Sequence, residues 1–321
     1  MLNQSEVTPK TTVISQLLML VGCLFIGLFL IGPLLAFVAI LPFYSDLTFA
    51  GMTNLITNPP DNAQGRMLIL TLQGITALIG FILVPWAYLR WLEGKSIASV
   101  NTRKTSFLPI ILTLAVVLIV MPFMSSVIHW NANLQLPEFL SEFEKAAKAK
   151  EEQLAKLTVF LTNLETLPEL LIATFIIALL PGIGEELIFR GLIQKKFTYL
   201  MNPHVAIWLS AFLFSALHLQ FYGLVPRMLL GVLFGYIFYW SGNLWLPILA
   251  HFLNNAFTLI MIYLFNHKII SFNIQTVNYS TIWVILSLLG TSAVMWVLYT
   301  QTRKKTAIQT SESVHYVEEN N

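Results

Sequence analysis

Two adjacent glutamates and an arginine lie in a run that is otherwise apolar enough to cross a membrane. Glu185, Glu186 and Arg190 occur within LIATFIIALLPGIGEELIFRGL. Ionisable side chains at bilayer depth cost at least ~2.5 kcal/mol each, so they are rare and usually mark a functional site. A carboxylate in such a place could act as a general base, and the arginine could balance its charge.

Helical spacing gives the two glutamates different surroundings. Glu186 and Arg190 are four residues apart, so they share a helix face and can form an ion pair. Glu185 points about 100° away and is free to face a cavity, where it could activate a water molecule. The alternative is that all three form a packing network that holds helices together.

Two more polar pairs occur at one-turn spacing in apolar runs. His218 ends WLSAFLFSALHLQ with Phe214 one turn earlier, and His251 lies in LWLPILAHFLNNAF with Asn255 one turn later and Asn254 beside it. An imidazole and a carboxamide on one face resemble the donors that stabilise an oxyanion. A structural hydrogen-bond pair is the alternative for His251 and Asn255, and a packing role is the alternative for His218.

The composition indicates the environment of the chain. Of 321 residues, 56% are hydrophobic and 11% charged, with a mean hydropathy of +0.73. Soluble domains carry about 25% charged residues. The apolar runs here reach the ~20 residues that cross a hydrocarbon core. We therefore expect an all-α, polytopic membrane helix bundle.

The same composition excludes two other classes. The net charge is +2 and the basic residues fall in short clusters, so nucleic acid is not an expected partner. The chain has one cysteine, Cys23, so it has no internal disulfide, and we expect Cys23 to pack within the first apolar run.

The apolar runs predict about eight transmembrane helices. They cover roughly 13–42, 67–90, 107–129, 168–199, 204–220, 224–241, 244–266 and 279–300. We expect four units: N-terminal transmembrane helices at 1–129, an extracytoplasmic amphipathic segment at 130–167, a transmembrane core with the polar motifs at 168–300, and a disordered polar tail at 301–321.

Basic residues in short loops predict the orientation. They form three clusters: Arg90, Lys95, Arg103 and Lys104; Lys195 and Lys196; and Arg303, Lys304 and Lys305. Such clusters remain in the cytoplasm. We expect an integral protein of a bacterial inner membrane with both termini cytoplasmic. The loop with Asp46 and Asp61 and the segment 130–166 then lie outside.

The segment 130–167 predicts an amphipathic helix. Apolar residues recur there at helical spacing, namely Phe139, Leu140, Phe143, Ala146 and Ala147. A solvated connector resting on the membrane or the bundle is the preferred interpretation, and a lid that gates a substrate is the alternative.

Glycine, proline and arginine in the second half predict local features. Pro181 should break or kink the fourth span just before the glutamates. Gly231 and Gly235 should let the sixth span pack closely against a neighbour. Arg227 should anchor that span at the interface, with binding of a substrate carboxylate as the alternative.

One expectation conflicts with a joint site. A straight fifth span places His218 near its outer end, whereas His251 lies in the inner half of the seventh. The two histidines can meet only if the fifth helix is short and tilted or if the predicted boundaries are shifted.

The motifs EELIFR, FSALH and HFLNN, with RMLLGVLFGYIFYWSGNLWLPILAH running into the last, resemble the CPBP intramembrane proteases, also called the CAAX-protease or Abi family. The resemblance covers roughly residues 168–258, and the combination of motifs is specific although each alone is weak. It implies a bundle of about eight helices with a site recessed in the membrane and open to the cytoplasmic side.

The resemblance also implies roles for individual residues. Glu185 would be the base that activates water, with Glu186 and Arg190 in support. His218 would be a second catalytic or water-orienting group, and His251 and Asn255 would stabilise the oxyanion. The implied reaction is hydrolysis of a membrane-associated peptide or protein without an acyl-enzyme, and no Ser or Cys nucleophile lies near these motifs.

The sequence does not identify a cofactor or a substrate. Glu185, His218 and His251 could bind a divalent metal such as zinc, and the family is often labelled metalloprotease. The same groups suffice for glutamate catalysis without a metal. We favour this metal-free alternative. No cofactor is certain. A prenylated C-terminal CAAX peptide is the family's eukaryotic precedent, and membrane lipids are the other expected partners.

Two other classes of function compete with an enzyme. A bacteriocin-immunity factor or a membrane scaffold could use the same polar core for recognition. A transporter is a weaker alternative, because transporters often contain internal repeats and the motif segment has no second copy in the sequence.

Overall fold

The computed structural model describes residues 10–43, 48, 51, 62–101, 103–274 and 276–319, and this part of the chain is helical without a strand. We number the main helices in chain order. They are α1 (Lys10–Ile40), α2 (Ala63–Leu92), α3 (Phe107–Ile119), α4 (Met121–Ala132), α5 (Ser141–Thr162), α6 (Leu167–Leu200), α7 (Pro203–Ala216), α8 (Phe221–Ser241), α9 (Trp245–Asn266) and α10 (Thr281–Glu319).

The described helices form a polytopic bundle. Six of them, α1, α2, α6, α8, α9 and α10, are long and apolar enough to cross a membrane, and α3 with α4 forms a seventh span bent by 42°. The expectation of an all-α integral membrane protein is therefore confirmed. The fifth predicted span is α7, whose 14 residues are apolar but short.

The shortness of α7 removes the conflict between the two histidines. At 1.5 Å per residue, α7 is only about 21 Å long, against a hydrocarbon core of about 30 Å. It ends at Ala216, and Leu219 adopts a left-handed φ of 54° in the turn that follows. His218 is exposed to solvent at the end of this short helix, but it lines the same cavity as His251.

Of the break or kink predicted at Pro181, the break is wrong, because α6 continues through Pro181 as one helix. Two π-helical segments, Thr174–Leu179 and Leu187–Gln194, flank the turn that holds the glutamates. The Leu180 N–H donates to the Phe175 carbonyl, five residues earlier. This wider turn shifts the hydrogen-bond register and accommodates the missing N–H of proline without separating the helix into halves.

The core of the bundle surrounds the second half of α6. Leu187, Ile188 and Leu192 pack in one buried cluster with Tyr88 of α2. Cys23 of α1 is partly buried against the same cluster, as expected for a packing residue. The acidic motif is thus held by the most enclosed part of α6, which limits its motion.

One end of the bundle carries the basic loops. Lys196 and Tyr88 both donate to the Glu93 carboxylate, and Lys95 donates to its second oxygen. Burial alone would raise the pKa of Glu93, but the hydrogen bonds from Lys196, Lys95 and Tyr88 lower that pKa to about 2. At the same end, the Lys195 ammonium donates to the Ser99 carbonyl.

The opposite end carries α5. Arg66, at the start of α2, is buried and forms ion pairs with Glu165 and Glu169, so that the chain after α5 is tied to α2. Phe143 of α5 packs edge-on against Phe221 at the start of α8. The amphipathic helix predicted for this segment is present. We call this side of the molecule the α5 end.

Some expectations concern parts of the chain that the structure does not test. The loop positions Asp46 and Asp61 lie outside the described residues. Helix α10 continues to Glu319, through most of the tail predicted to be disordered, and its side chains are described only as far as Thr302. The disorder of the tail and the four-unit division stay predictions.

Candidate active site

The centre of the site is a buried cluster of Glu186, Arg190 and His251. The Glu186 Oε1 atom accepts a hydrogen bond from Arg190 Nη1 at 2.9 Å and lies 2.8 Å from His251 Nδ1. Glu186 and Arg190 are almost completely buried. The ion pair expected from the four-residue spacing is present, and it extends to a third residue on another helix.

Helix α8 fixes the arginine. Arg190 Nη2 donates to the Gly231 carbonyl at 3.0 Å, and its guanidinium lies 4.9 Å from the Phe214 ring centre. One turn along both helices, Gln194 donates to the Gly235 carbonyl. The contacts of Arg190 hold its guanidinium in one orientation against the Gly231 carbonyl and the aromatic face of Phe214.

The two glycines are needed for this close approach. A Cβ added at Gly231 would lie 3.0 Å from the Ala211 Cβ atom, and one at Gly235 would lie 2.8 Å from Ile207 Cγ2. The close packing expected from the small-residue spacing is confirmed. It brings α8 against α7 and α6, so it supports the site from behind.

Glu185 faces a different direction, as its position one residue earlier predicts. It lines the cavity described below, and its Oε2 atom lies 3.8 Å from His251 Nε2. That distance is too long for a hydrogen bond. It leaves both atoms directed at a common space in which a water molecule or a carbonyl oxygen could contact each of them.

The hydrogen bond to Glu186 determines which nitrogen of His251 is free. An ionised carboxylate only accepts, so His251 Nδ1 must carry the proton that it shares with Glu186. Nε2 is then the atom directed toward Glu185. The imidazole stacks on Phe234, with ring centres 5.5 Å apart, which fixes its plane.

His218 is oriented in a similar way. Its Nδ1 atom lies 2.8 Å from the Phe214 carbonyl, which can only accept, so Nδ1 carries a proton. The His218 side chain also lines the cavity. Its Nε2 lone pair is thereby available to a water molecule or a substrate.

The carboxamide of Asn255 is positioned by its neighbour. Asn254 Nδ2 donates to Asn255 Oδ1 at 3.1 Å, while Asn255 Nδ2 makes only a 3.5 Å contact with the Ile177 carbonyl. The acceptor of Asn255 is thus used and its donor is nearly free. Because Asn255 lines the cavity one turn from His251, it can donate to the same ligand atom.

These side chains meet in one cavity of about 650 Å³. Glu185, His218, His251 and Asn255 all line it, whereas Glu186 and Arg190 lie behind its wall. The structure therefore brings together all six residues that the sequence singled out, four at the cavity surface and two in support.

The cavity extends toward the α5 end. Glu151 of α5, Tyr222 of α8 and Tyr279 before α10 line it, whereas the basic loops at the other end contribute no lining residue among those described. Burial raises the pKa of Glu151, and the charge of Arg227 opposes that rise. The predicted orientation and the implied cytoplasmic opening are therefore incompatible, because the basic clusters and the cavity lie at opposite ends.

The structure gives no positive support to the metal hypothesis. Within the described part of the chain, no three His, Cys, Asp or Glu residues are grouped closely enough to hold a metal ion. Glu185, His218 and His251 share the cavity, and Glu185 Oε2 lies 3.8 Å from His251 Nε2. Metal-free glutamate catalysis stays a prediction.

Sequence reasoning missed part of the site. Phe234, which orients His251, had no signal because an aromatic residue in an apolar run is ordinary. Glu151 was assigned to a connector, yet it reaches the cavity. Arg227 was expected at the interface, but its side chain is only partly exposed and lines the cavity as well.

Comparison with known proteins gives matches in the second half of the chain. Residues 167–257 match the family described as type II CAAX prenyl endopeptidase Rce1-like. The uncharacterized protein YpbD of Bacillus subtilis (strain 168) is 28% identical over 95 residues, which are 28% of this chain and 44% of that protein. The alignment thus spans less than half of the relative. No solved structure matches the chain.

The fold defines the class as an integral, all-α membrane protein with polar residues at the centre of its bundle. Its segment 167–257 matches the type II CAAX prenyl endopeptidase Rce1-like family, and all six candidate residues lie within that segment. The resemblance noted from the three motifs is confirmed.

Proposed function

We propose that this protein is an intramembrane endopeptidase that hydrolyses a membrane-associated peptide with a water molecule activated by Glu185. The observation that carries the proposal is the pair Glu185 Oε2 and His251 Nε2, which face one space from 3.8 Å apart in a buried cavity. Prenylated CAAX-type peptides are the substrate class that the family description suggests.

The charges of the cluster support this assignment. An ionised Glu185, as a base must be, and an ionised Glu186 together carry two negative charges. Arg190 supplies a positive charge beside Glu186, and in the acting form His251 is protonated on both nitrogens and lies between the two carboxylates. Positive charges next to the carboxylates lower the cost of burying them. In that state His251 Nε2 carries a hydrogen that can be donated to a developing oxyanion.

The reaction then proceeds in two proton-balanced steps. Glu185 takes a proton from water as the oxygen attacks the scissile carbonyl, and the negative charge on the carbonyl oxygen is stabilised by His251 Nε2–H and Asn255 Nδ2. Glu185 then gives its proton to the leaving amine as the C–N bond breaks. His218, through its free Nε2, orients the attacking water.

Peptide cleavage by purified protein in detergent tests the proposal. The probes are a fluorogenic farnesylated peptide ending in Cys-Val-Ile-Met and unprenylated membrane-tethered peptides. We expect cleavage by the wild type, at least a ~10²-fold loss of kcat in Glu185→Gln, and a similar loss in His251→Ala.

Matched controls separate chemistry from folding. Glu152→Gln removes a carboxylate that is exposed on α5 and paired with Lys156, so it should leave cleavage unchanged. Glu185→Gln and Glu152→Gln should keep the wild-type thermal unfolding profile, and His251→Ala, which loses a buried contact with Glu186, should remain folded at the assay temperature. Full activity of Glu185→Gln contradicts the proposal, and loss of activity on adding a chelator contradicts its metal-free form.

A different observation would favour a scaffold or an immunity factor. Such a protein needs shape and charge at the cavity but no base. Retention of biological activity by Glu185→Gln and His251→Ala in cells would support that function.

A further inference from the structure

Arg227 lies in the same cavity as the catalytic groups, but the proposed reaction does not use it. It is four residues before Gly231, whose carbonyl binds Arg190. Arg227 therefore lies about one helical turn, or about 6 Å along the axis of α8, from Gly231 and the Arg190 side chain bound to it. Its charge is close enough to act on Glu185.

The guanidinium of Arg227 has unused donors. Nη2 donates to Gln220 Oε1 at 2.7 Å, but the buried Nη1 atom has no hydrogen-bond partner in the structure. The other buried arginines differ, because Arg66 and Arg190 each form ion pairs with glutamates. Within the described residues, Arg227 has no carboxylate within 4.0 Å.

The surroundings hold the guanidinium in place without neutralising it. Gly223 makes room for it, since a Cβ there would lie 2.7 Å from Nη2. Gln220 links it to Glu151 of α5, through a contact of 3.5 Å between Gln220 Nε2 and Glu151 Oε1. A guanidinium that is positioned, partly buried and has Nη1 without a partner is suited to an anionic ligand.

We propose that Arg227 binds the C-terminal carboxylate of the peptide substrate and so determines specificity for a bond near a free chain end. This inference rests on the proposed function. A planar guanidinium with free N–H groups recognises a carboxylate with two parallel hydrogen bonds. Gln220 lies next to Arg227, and Glu151 lies next to Gln220. A peptide that ends at the arginine therefore fits, whereas a peptide that continued in that direction would meet these two side chains.

Three peptides and three proteins test the proposal. The peptides share the sequence and the farnesyl group: one has a C-terminal carboxylate, the second a C-terminal amide, and the third the amide with an added glutamate side chain near the end. The proteins are the wild type, Arg227→Gln and Arg227→Lys. The quantity compared is kcat/KM for each pair.

We expect the wild type to cleave the carboxylate peptide at least about tenfold better than either amide, mainly through KM. Arg227→Gln should lose this preference and cleave all three alike, at about the rate of the wild type on the amide. Arg227→Lys should keep part of the preference, because the charge remains but the paired geometry is lost.

Each other outcome overturns the proposal in a distinct way. If Arg227→Gln slows all peptides equally and keeps the preference, the arginine is only structural. If the glutamate-bearing amide is cleaved as well as the acid, the anion recognised is a side chain. Equal cleavage of acid and amide by the wild type removes only this inference, whereas cleavage of none removes the proposed function too.

Discussion

Glu186 serves two functions in the site through one oxygen atom. Its Oε1 atom contacts both Arg190 and His251, while its Oε2 atom is buried without a hydrogen-bond partner in the structure. Glu186 thus balances the arginine and fixes the histidine proton on Nδ1. A residue that never reaches the cavity determines which face of His251 can act on a substrate.

This arrangement predicts a large stability loss when one partner is removed. Glu186→Gln leaves the Arg190 charge buried and unpaired, which should cost about 3–5 kcal/mol of unfolding free energy. Thermal or denaturant unfolding in detergent measures it. The comparison variant is Glu152→Gln, which breaks the exposed Glu152–Lys156 pair and should change stability by less than about 0.5 kcal/mol. Similar small losses in both variants would contradict the role of Glu186.

At the scale of single residues, the sequence was informative because charges in an apolar run are costly. Glu185, Glu186 and Arg190 were identified from that cost, and their separate directions followed from helix geometry. Phe234 and Glu151 were not identified. The contribution of Phe234 depends on which helix packs opposite, and that of Glu151 depends on how α5 folds back on the bundle.

At the scale of elements, α6 and α8 form the frame of the site. Polar side chains one turn apart on α6 bind the carbonyls of Gly231 and Gly235, one turn apart on α8. The matching spacing keeps the two helices in register. The frame therefore depends on the absence of side chains at two positions of α8.

The frame predicts a difference between two glycine substitutions. In Gly235→Ala the new Cβ would lie 2.8 Å from Ile207 Cγ2 and 2.9 Å from Gln194 Oε1, so we expect a loss of about 1–3 kcal/mol. In Gly22→Ala nothing lies within 4 Å, so the helix should be unchanged or slightly stabilised. Melting temperatures of the two variants, measured in the same detergent, provide the test. Equal tolerance would contradict the frame.

The helices were largely predictable from apolar run length, but their irregularities were not. Pro181 predicted a break, and the structure instead uses π-helical turns on both sides of Leu180–Glu186. A helix break and π-helical turns can both accommodate the missing N–H of Pro181. Which of the two occurs therefore depends on the packing around α6. The end of α7 was placed at 220 instead of Ala216, because the apolar sequence continues past the residue at which the helix ends, although a short fifth helix was one of the two alternatives given for bringing the histidines together.

At the scale of the whole molecule, the cavity and the basic loops lie at opposite ends. Lys195 and Lys95 belong to one end, and Glu151 and Tyr279 line the cavity toward the other. Positive loops remain in the cytoplasm. If this rule holds here, the peptide reaches Glu185 from the outer side of the membrane, which is opposite to the side implied by the family resemblance.

Cysteine labelling tests this orientation in intact cells. On a Cys23→Ser background, Ala149→Cys places a thiol on exposed α5, and Ser96→Cys places one in an exposed loop at the basic end. We expect a membrane-impermeant maleimide to label Ala149→Cys directly and Ser96→Cys only after the cells are permeabilised. The reverse pattern would show that the α5 end is cytoplasmic and that the positive-inside expectation is wrong.

The contacts between α5 and α8 determine how readily α5 can separate from the bundle. Two side-chain contacts join α5 to the start of α8, and each is 3.5 Å long, at the outer limit for a hydrogen bond. They are Gln220 Nε2 to Glu151 Oε1 and the Tyr222 hydroxyl to Glu144 Oε1. Apart from the packing of Phe143 on Phe221, the contacts are weak, so we expect α5 to separate from α8 on the microsecond to millisecond scale. The rate of the proposed cleavage would then depend on how often α5 opens, and a cross-link between α5 and α8 would slow the cleavage of every peptide equally, whatever its sequence.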